Sequence, residues 1–361
     1  MAWTPPPPRM GHPYFMYEAI FAQPGALRLV VRENRERLER VASRLRTMEQ
    51  VFLVGIGTSW HAALVGELLF QKIGGFGHRA RAFHSFEFRN YWPDPNPRTA
   101  VVVVSHRGTK RFSLEALEKA KAGGGPGIVI TGKGSGGRTR VADEILTTVE
   151  QERSSAHTVS YTTALAVLVA LAAAIGEDGK MDRELEGIPD QLALLLGQES
   201  WEEFAAQFQD RRRYYFAGGG PNAATAYEAA LKMSETNYAA ALGFELEQFL
   251  HGPLAALDAD DLMTVIAPPG PSYERCLDVA RAAREIGVPV LAVVQEGDTA
   301  IASLSKAVIE LPSVSEWLTP LLAVVPLQFL AYFLAVHRGT NPDLMRSDHE
   351  PHARARESYS L

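Results

Sequence analysis

The stretch Phe52-Leu53-Val54-Gly55-Ile56-Gly57-Thr58-Ser59-Trp60 returns later in the chain as Tyr215-Phe216-Ala217-Gly218-Gly219-Gly220-Pro221-Asn222-Ala223. Each copy is an apolar run that ends at glycines and opens into a helical pattern, the signature of a strand-to-helix turn. The copies lie 163 positions apart, Gly55 matching Gly218. Other strand-like runs keep that offset. The run ending at Ser105 matches the one ending at Pro268, Ile128 matches Leu291, and Ile145 matches Val308. A shared offset over four strands points to an internally duplicated domain. Within the first copy, Val51–Val54, Ala100–Val104, Ile128–Thr131 and Ile145–Thr148 read as strands, while Trp60–Ile73 and Ser113–Ala122 read as helices. Such alternation predicts an α/β fold of two tandem domains, each a parallel sheet flanked by helices.

The expected organisation is an N-terminal arm and helix (1–44), a first domain (45–175), a linker with one helix (176–199), a second domain (200–340) and a C-terminal tail (341–361). A chain of 361 residues, 46% of them hydrophobic and 22% charged, has ample material for two cores. Its formal charge of −6 speaks against a general nucleic-acid or anionic-membrane binder, so any bound anion must be held by local geometry. Cys276 is the only cysteine, which excludes an intramolecular disulfide and a cysteine zinc site. Pro5 to Pro8 predict a stiff extended arm rather than a signal peptide. Trp317 to Val336 carries no charge and is long enough to span a bilayer. Pro320, Pro326 and Gln328 within it, and the α/β patterning before it, favour a buried core helix. The expectation is a cytoplasmic protein.

In open parallel sheets, ligands bind beyond the carboxyl ends of the strands, where helix N-termini favour anions. The loop Gly55-Ile56-Gly57-Thr58-Ser59 offers close backbone approach and two hydroxyls. It is not a dinucleotide fingerprint, because Trp60 stands where a third glycine is needed. After the next strand, Ser105-His106-Arg107-Gly108-Thr109-Lys110 combines hydroxyls, a glycine and cations, as a phosphate nest would; an ordinary helix cap with surface charges is the alternative. Gly127-x4-Gly132-Lys133 has P-loop spacing, but Gly134 replaces the magnesium-binding hydroxyl residue. Glu228, Lys232 and Glu235 share one helix face. A solvated salt-bridged face would explain them equally well, were it not for His251-Gly252-Pro253-Leu254 downstream. That turn presents an imidazole, and a carboxylate with a histidine suits proton transfer beside a carbonyl.

Taken together, these loops and the segment "EAALKMSETNYAA…HGPLAALDAD", Glu228 to Asp260, resemble the sugar isomerase (SIS) family. Within it they are most similar to the isomerase half of the glutamine–fructose-6-phosphate aminotransferases, and the likeness runs from Phe15 to Thr340. It implies that Gly57, Thr58 and Ser59 contact the sugar or its phosphate, and that Ser105, His106, Arg107, Gly108, Thr109 and Lys110 form the main phosphate loop. Ser155 and His157, in the stretch from Glu152 to Thr158, would line the pocket. Glu235 would be the base, Lys232 would orient or polarise beside it, and His251 would assist ring opening from a neighbouring subunit of a homodimer.

The departures are specific. No glutaminase segment is present, two hydroxyls of the family's Ser-x-Ser-Gly-x-Thr loop become cations, and His157 replaces a serine. Glu350 stands where the synthases carry a ring-binding lysine, with Arg346 retained and His349 or His352 as substitutes. The resemblance thus implies, with no cofactor or metal, a phosphosugar isomerase or an aminosugar-phosphate deaminase acting on a hexose 6-phosphate such as glucosamine 6-phosphate or fructose 6-phosphate. The alternatives are a non-catalytic phosphosugar-binding or sensing protein and a fructosamine-6-phosphate deglycase-like enzyme.

Overall fold

Each apolar run preceding a glycine turn is a strand in the computed structural model, which describes residues 6–197 and 201–359. Residues 198 and 199 of the expected linker, residue 200 at the expected start of the second domain, Pro5, and residues 360 and 361 of the tail lie outside that description. The chain opens with α1 (Phe15–Phe21) and α2 (Gln23–Arg46). The first unit follows as β1 (Gln50–Gly55), α3 (Thr58–Lys72), β2 (Ala80–His84), α4 (Ser85–Asn90), β3 (Thr99–Val104), α5 (Arg111–Ala122), β4 (Gly127–Lys133), β5 (Glu144–Glu150) and α6 (Val159–Gly176). Next come α7 (Gly179–Leu196) and α8 (Trp201–Ala206). The second unit runs β6 (Arg213–Gly218), α9 (Pro221–Asn237), β7 (Ala240–Glu245), α10 (Leu246–Leu250), β8 (Leu262–Ala267), α11 (Tyr273–Ile286), β9 (Val290–Gln295), β10 (Ala307–Leu311) and α12 (Thr319–His337). A short α13 (Glu350–Glu357) closes the described chain.

Both sheets are five-stranded and parallel, ordered β2-β1-β3-β4-β5 and β7-β6-β8-β9-β10. The duplication is therefore exact in topology. The central strands alternate between two cores, because successive side chains point to opposite faces. Val51 and Leu53 of β1 join a large core shared with β6, α3, α6, α9 and α12, while Phe52 and Val54 face a separate core with Leu114 and Leu117 of α5. This shared core brings α3 of the first unit against α9 of the second.

The apolar segment at Trp317 to Val336 lies almost wholly in α12, and the equally apolar α6 is its counterpart. Both are long and apolar enough to cross a membrane, yet 94% and 89% of their most apolar windows are buried inside the fold. Pro320 sits in the first turn of α12, where its missing N–H costs nothing. Pro326 removes a mid-helix hydrogen bond at a cost of about 3 kcal/mol, offset by the burial of Leu321, Leu322, Leu327 and Phe329 around it. The linker carries one helix, as expected: α7, 18 residues long and capped by the Asp178 carboxylate, which accepts the N–H groups of Lys180 and Met181.

Candidate active site

The strand order reverses between β1 and β3, so the loops after these strands diverge and leave a crevice. The loop after β1 turns at Gly57, whose φ of 56° is the left-handed region that suits glycine. Gly55 is needed for space: a Cβ there would stand 2.2 Å from the Ser59 carbonyl oxygen. The result is a cleft of about 620 Å3.

Gly57, Thr58 and Ser59 line this cleft on one side, and Ser105, His106, Arg107 and Lys110 on the other. Ser155, His157 and Glu235 complete its inner wall. Gly108 and Thr109 are turned away from it. Gly108, at φ +61°, packs against Thr139 and Ser135, and Thr109 is exposed.

The side chains divide into three groups. The first is a donor set without acceptors. Ser105 Oγ is buried and has no hydrogen-bond partner among the described residues, and the Lys110 ammonium makes no hydrogen bond or ion pair among them. Burial, then the Arg107 and Arg356 charges, lower the Lys110 pKa.

The second group is imidazole. His106 Nε2 accepts the backbone N–H of Glu152 at 3.1 Å, which places the ring proton on Nδ1. Burial, with help from Arg107, lowers His106 to about 3, so it contributes no positive charge near neutral pH. Its ring rests on Gly132, where a Cβ would stand 2.7 Å away, so the apparent P-loop glycine serves packing inside β4. The Glu152 carboxylate, buried and raised in pKa by that burial, accepts the N–H groups of Thr158 at 3.0 Å and Ser160 at 2.7 Å, capping α6. His157 lies edge-on to His106 at 4.9 Å, and burial holds its pKa well below normal.

The third group comes from α9. Glu228, Lys232 and Glu235 are not a solvated face. Lys232 and Glu228 are fully buried. The ammonium sits 3.2 Å from Glu228 Oε1, also pairs with Glu235, and donates to Thr58 Oγ1 at 3.1 Å. Thr58 in turn donates to Glu228 at 3.1 Å. The Thr58 hydroxyl therefore ties the first unit's loop to the second unit's acids. His61, one turn further along α3, bonds Glu228 Oε2 through Nδ1 at 2.7 Å. The two carboxylates are driven apart. Burial pushes Glu228 upward, but Lys232 and His61 outweigh it and leave it below the carboxylate range. Burial and the neighbouring Glu228 charge raise Glu235, against the pull of Lys232. A carboxylate raised in pKa and open to a cleft is suited to take up and return a proton.

Besides Gly108 and Thr109, the expected residues of the HGPL turn and the tail are not in this cleft. His251 lies on an exposed turn with its side chain 76% accessible, bonded to Glu247; it does not meet Glu235 within one chain. Glu350 is exposed and pairs with Arg354 on α13, because the tail helix turns that face to solvent. Arg346 stacks on the Tyr238 ring at 4.9 Å instead of entering the cleft. His349 and His352 bond to each other on the surface. The tail contributes Met345, Arg356 and Tyr359 in their place. His61 and Arg356 were not singled out from the sequence. His61 was detectable, since it stands three positions after Thr58 on the same helix face; Arg356, in a polar tail, gave no signal.

With this geometry in place, comparison with known proteins is informative. The SIS domain model matches residues 44–174 and 207–338. A glutamine–fructose-6-phosphate aminotransferase of Thermococcus kodakarensis is 32% identical over 353 residues, covering 94% of this chain and 58% of that protein. One from Thermus thermophilus is 31% identical, covering 93% and 58%. The chain thus spans under two thirds of the length of these relatives. Among solved structures, the C-terminal domain of glucosamine-fructose-6-phosphate aminotransferase from Francisella tularensis superposes with a TM-score of 0.82 at 21% identity, covering 92% of this chain and 98% of that one. A glucosamine-6-phosphate deaminase from Thermotoga maritima gives 0.75 at 21%, covering 91% and 97%. Those two likenesses establish the fold.

Proposed function

Since the chain belongs to the SIS domain family, we propose that it binds a hexose 6-phosphate and moves a proton between the two carbons beside its carbonyl, as an isomerase or an aminosugar-phosphate deaminase. The observation that carries this reading is the Glu235 carboxylate, raised in pKa and facing the same cleft as the partnerless Ser105 hydroxyl. The phosphate is anchored by Ser105, the Gly57–Ser59 turn and the N-terminus of α3, which favours an anion. Glu235 removes the proton from one carbon and returns it to the next. Lys232 holds Glu235 in place and, with Glu228, sets its proton affinity. Deamination of glucosamine 6-phosphate by this route consumes one water and releases ammonia and fructose 6-phosphate.

His251 enters this scheme only from a second copy of the chain, so the working unit is a homodimer, placed in the cytoplasm by the same reading. The test is coupled detection of fructose 6-phosphate and ammonia from glucosamine 6-phosphate, alongside aldose–ketose exchange of hexose 6-phosphates. Glu235→Gln is expected to lower turnover by about 10²–10⁴-fold with hexose phosphate binding retained. Equal turnover by both proteins removes Glu235 from the mechanism.

A further inference from the structure

The cleft offers more for anions than one phosphate requires. Its first anion site is largely neutral: the buried Ser105 hydroxyl, without a partner, beside the Gly57–Ser59 turn and the N-terminus of α3. Helix N–H groups and a hydroxyl suffice to hold a phosphate. Three cations line the same cleft: Arg107, whose guanidinium donates to the Glu152 carbonyl oxygen, and two more. Lys110, at the entry to α5, is partly buried, and its ammonium makes no hydrogen bond or ion pair among the described residues. The Arg356 guanidinium, on α13, donates among the described residues to the Met345 carbonyl oxygen.

These cations arrive from different sides. Lys110 comes from the β3 loop. Arg356 is held toward the α9 side, because Met345 adjoins Arg346, whose backbone N–H donates to Tyr238 Oη at 3.0 Å just past the end of α9. A partly buried ammonium beside a guanidinium, with no carboxylate among the described residues paired to either, costs free energy that an acidic ligand would recover. Among the described residues the one carboxylate on the wall, Glu235, is already engaged by Lys232. At about 620 Å3 the cleft is also in the range of sites for drug-sized ligands.

We propose that the ligand carries two acidic groups: a phosphate held at Ser105 and the α3 N-terminus, and a second acid, carboxylate or phosphate, held between Lys110 and Arg356. This rests on the phosphosugar reading above and narrows it to a substrate class. A hexose 6-phosphate alone leaves the second subsite unfilled.

The test is calorimetric titration of the full chain with matched probes. 6-Phosphogluconate and fructose 1,6-bisphosphate carry both acids; glucitol 6-phosphate and fructose 6-phosphate carry one phosphate; gluconate carries the carboxylate alone. At least one diacid is expected to bind about tenfold tighter than its monophosphate counterpart, the effect of one charge-assisted hydrogen bond. Arg356→Gln and Lys110→Gln each bring that ratio close to one, and Arg356→Lys keeps part of it. Thermal melting confirms that the variants fold. Two outcomes overturn the proposal: neither diacid outperforms its monophosphate, or the advantage survives in both glutamine variants. If the monophosphates bind and the diacids gain nothing, only this inference fails. If no phosphate compound binds, the phosphosugar reading fails with it.

Discussion

Gly57 and Gly220 hold nearly the same backbone, φ 56° and ψ −132° against φ 53° and ψ −129°, each at the N-cap of a long helix. Both lie beside the strand-order reversal of their sheet. The duplicated units thus built the same cradle twice, and the side chains then separated them. The first cradle has Thr58, Ser59 and the Ser105 hydroxyl. In the second, Pro221 and Asn222 follow the glycine, Pro268 stands at the position matching Ser105, and the Glu316 carboxylate lies against Gly270 and Gly220. A carboxylate there repels the anion that the first cradle is arranged to accept. The second unit gives its acid-bearing helix face instead, turning Glu228, Lys232 and Glu235 of α9 onto Thr58 and His61 of α3. Backbone duplication supplied the same turn twice; side-chain divergence left one turn lined by hydroxyls and gave the second unit a buried acid–lysine face, which the proposed function uses as anion cradle and proton-transfer face.

That division can be broken most severely at its junction. Lys232→Met leaves Glu235 without its cation and Glu228 with Thr58 and His61 alone, and is expected to lower stability by about 3–5 kcal/mol in chemical denaturation. A loss below about 1 kcal/mol would mean that the ion cluster does not hold the units together. Ser105→Ala acts on the cradle alone. It should weaken hexose phosphate binding about tenfold and leave stability within about 0.5 kcal/mol, because Oγ has no partner to lose. Titration and melting of the same variant check both halves of that statement.

The smallest effect is expected at Glu316. Burial raises its pKa, so its ionisation on folding opposes stability as pH rises through the carboxylate range. Glu316→Gln is expected to add about 0.5 kcal/mol or less near pH 7, with the gain vanishing below the unfolded carboxylate pKa, and to leave hexose phosphate affinity unchanged. A weakened affinity would place ligand in the second cradle and dissolve the contrast drawn between the units.

The sequence disclosed the fold wherever a strand is buried on both faces. β1, β3, β4 and their counterparts are continuous apolar runs, which is why the 163-residue offset stood out. Of the four edge strands, two escaped notice for the opposite reason. β2 reads Ala-Arg-Ala-Phe-His and β7 Ala-Ala-Leu-Gly-Phe-Glu, both partly polar, and they lie 160 rather than 163 positions apart. The linker helix α7 was legible from its apolar stripe, although its first turns, Gly-Lys-Met-Asp-Arg-Glu, are polar and the buried face is limited to residues such as Met181, Leu185, Ile188 and Leu192. At the site, motif spacing led to Glu235 and Ser105, since glycine turns and a shared helix face are local signals. It misplaced Glu350 and Arg346, whose directions depend on how the tail folds back. Nor could spacing show that the Glu152 N–H and burial hold His106 neutral.

The central claim is that one cleft is built from both units, the anion cradle from the first and the acid from the second. A crystal structure of the chain with a bound hexose 6-phosphate tests it most directly. The account predicts phosphate oxygens within hydrogen-bond distance of Ser105 Oγ and the start of α3, with the sugar carbons beside the carbonyl next to Glu235. Phosphate seated instead at Gly220, or a sugar ring turned away from Glu235, would contradict it.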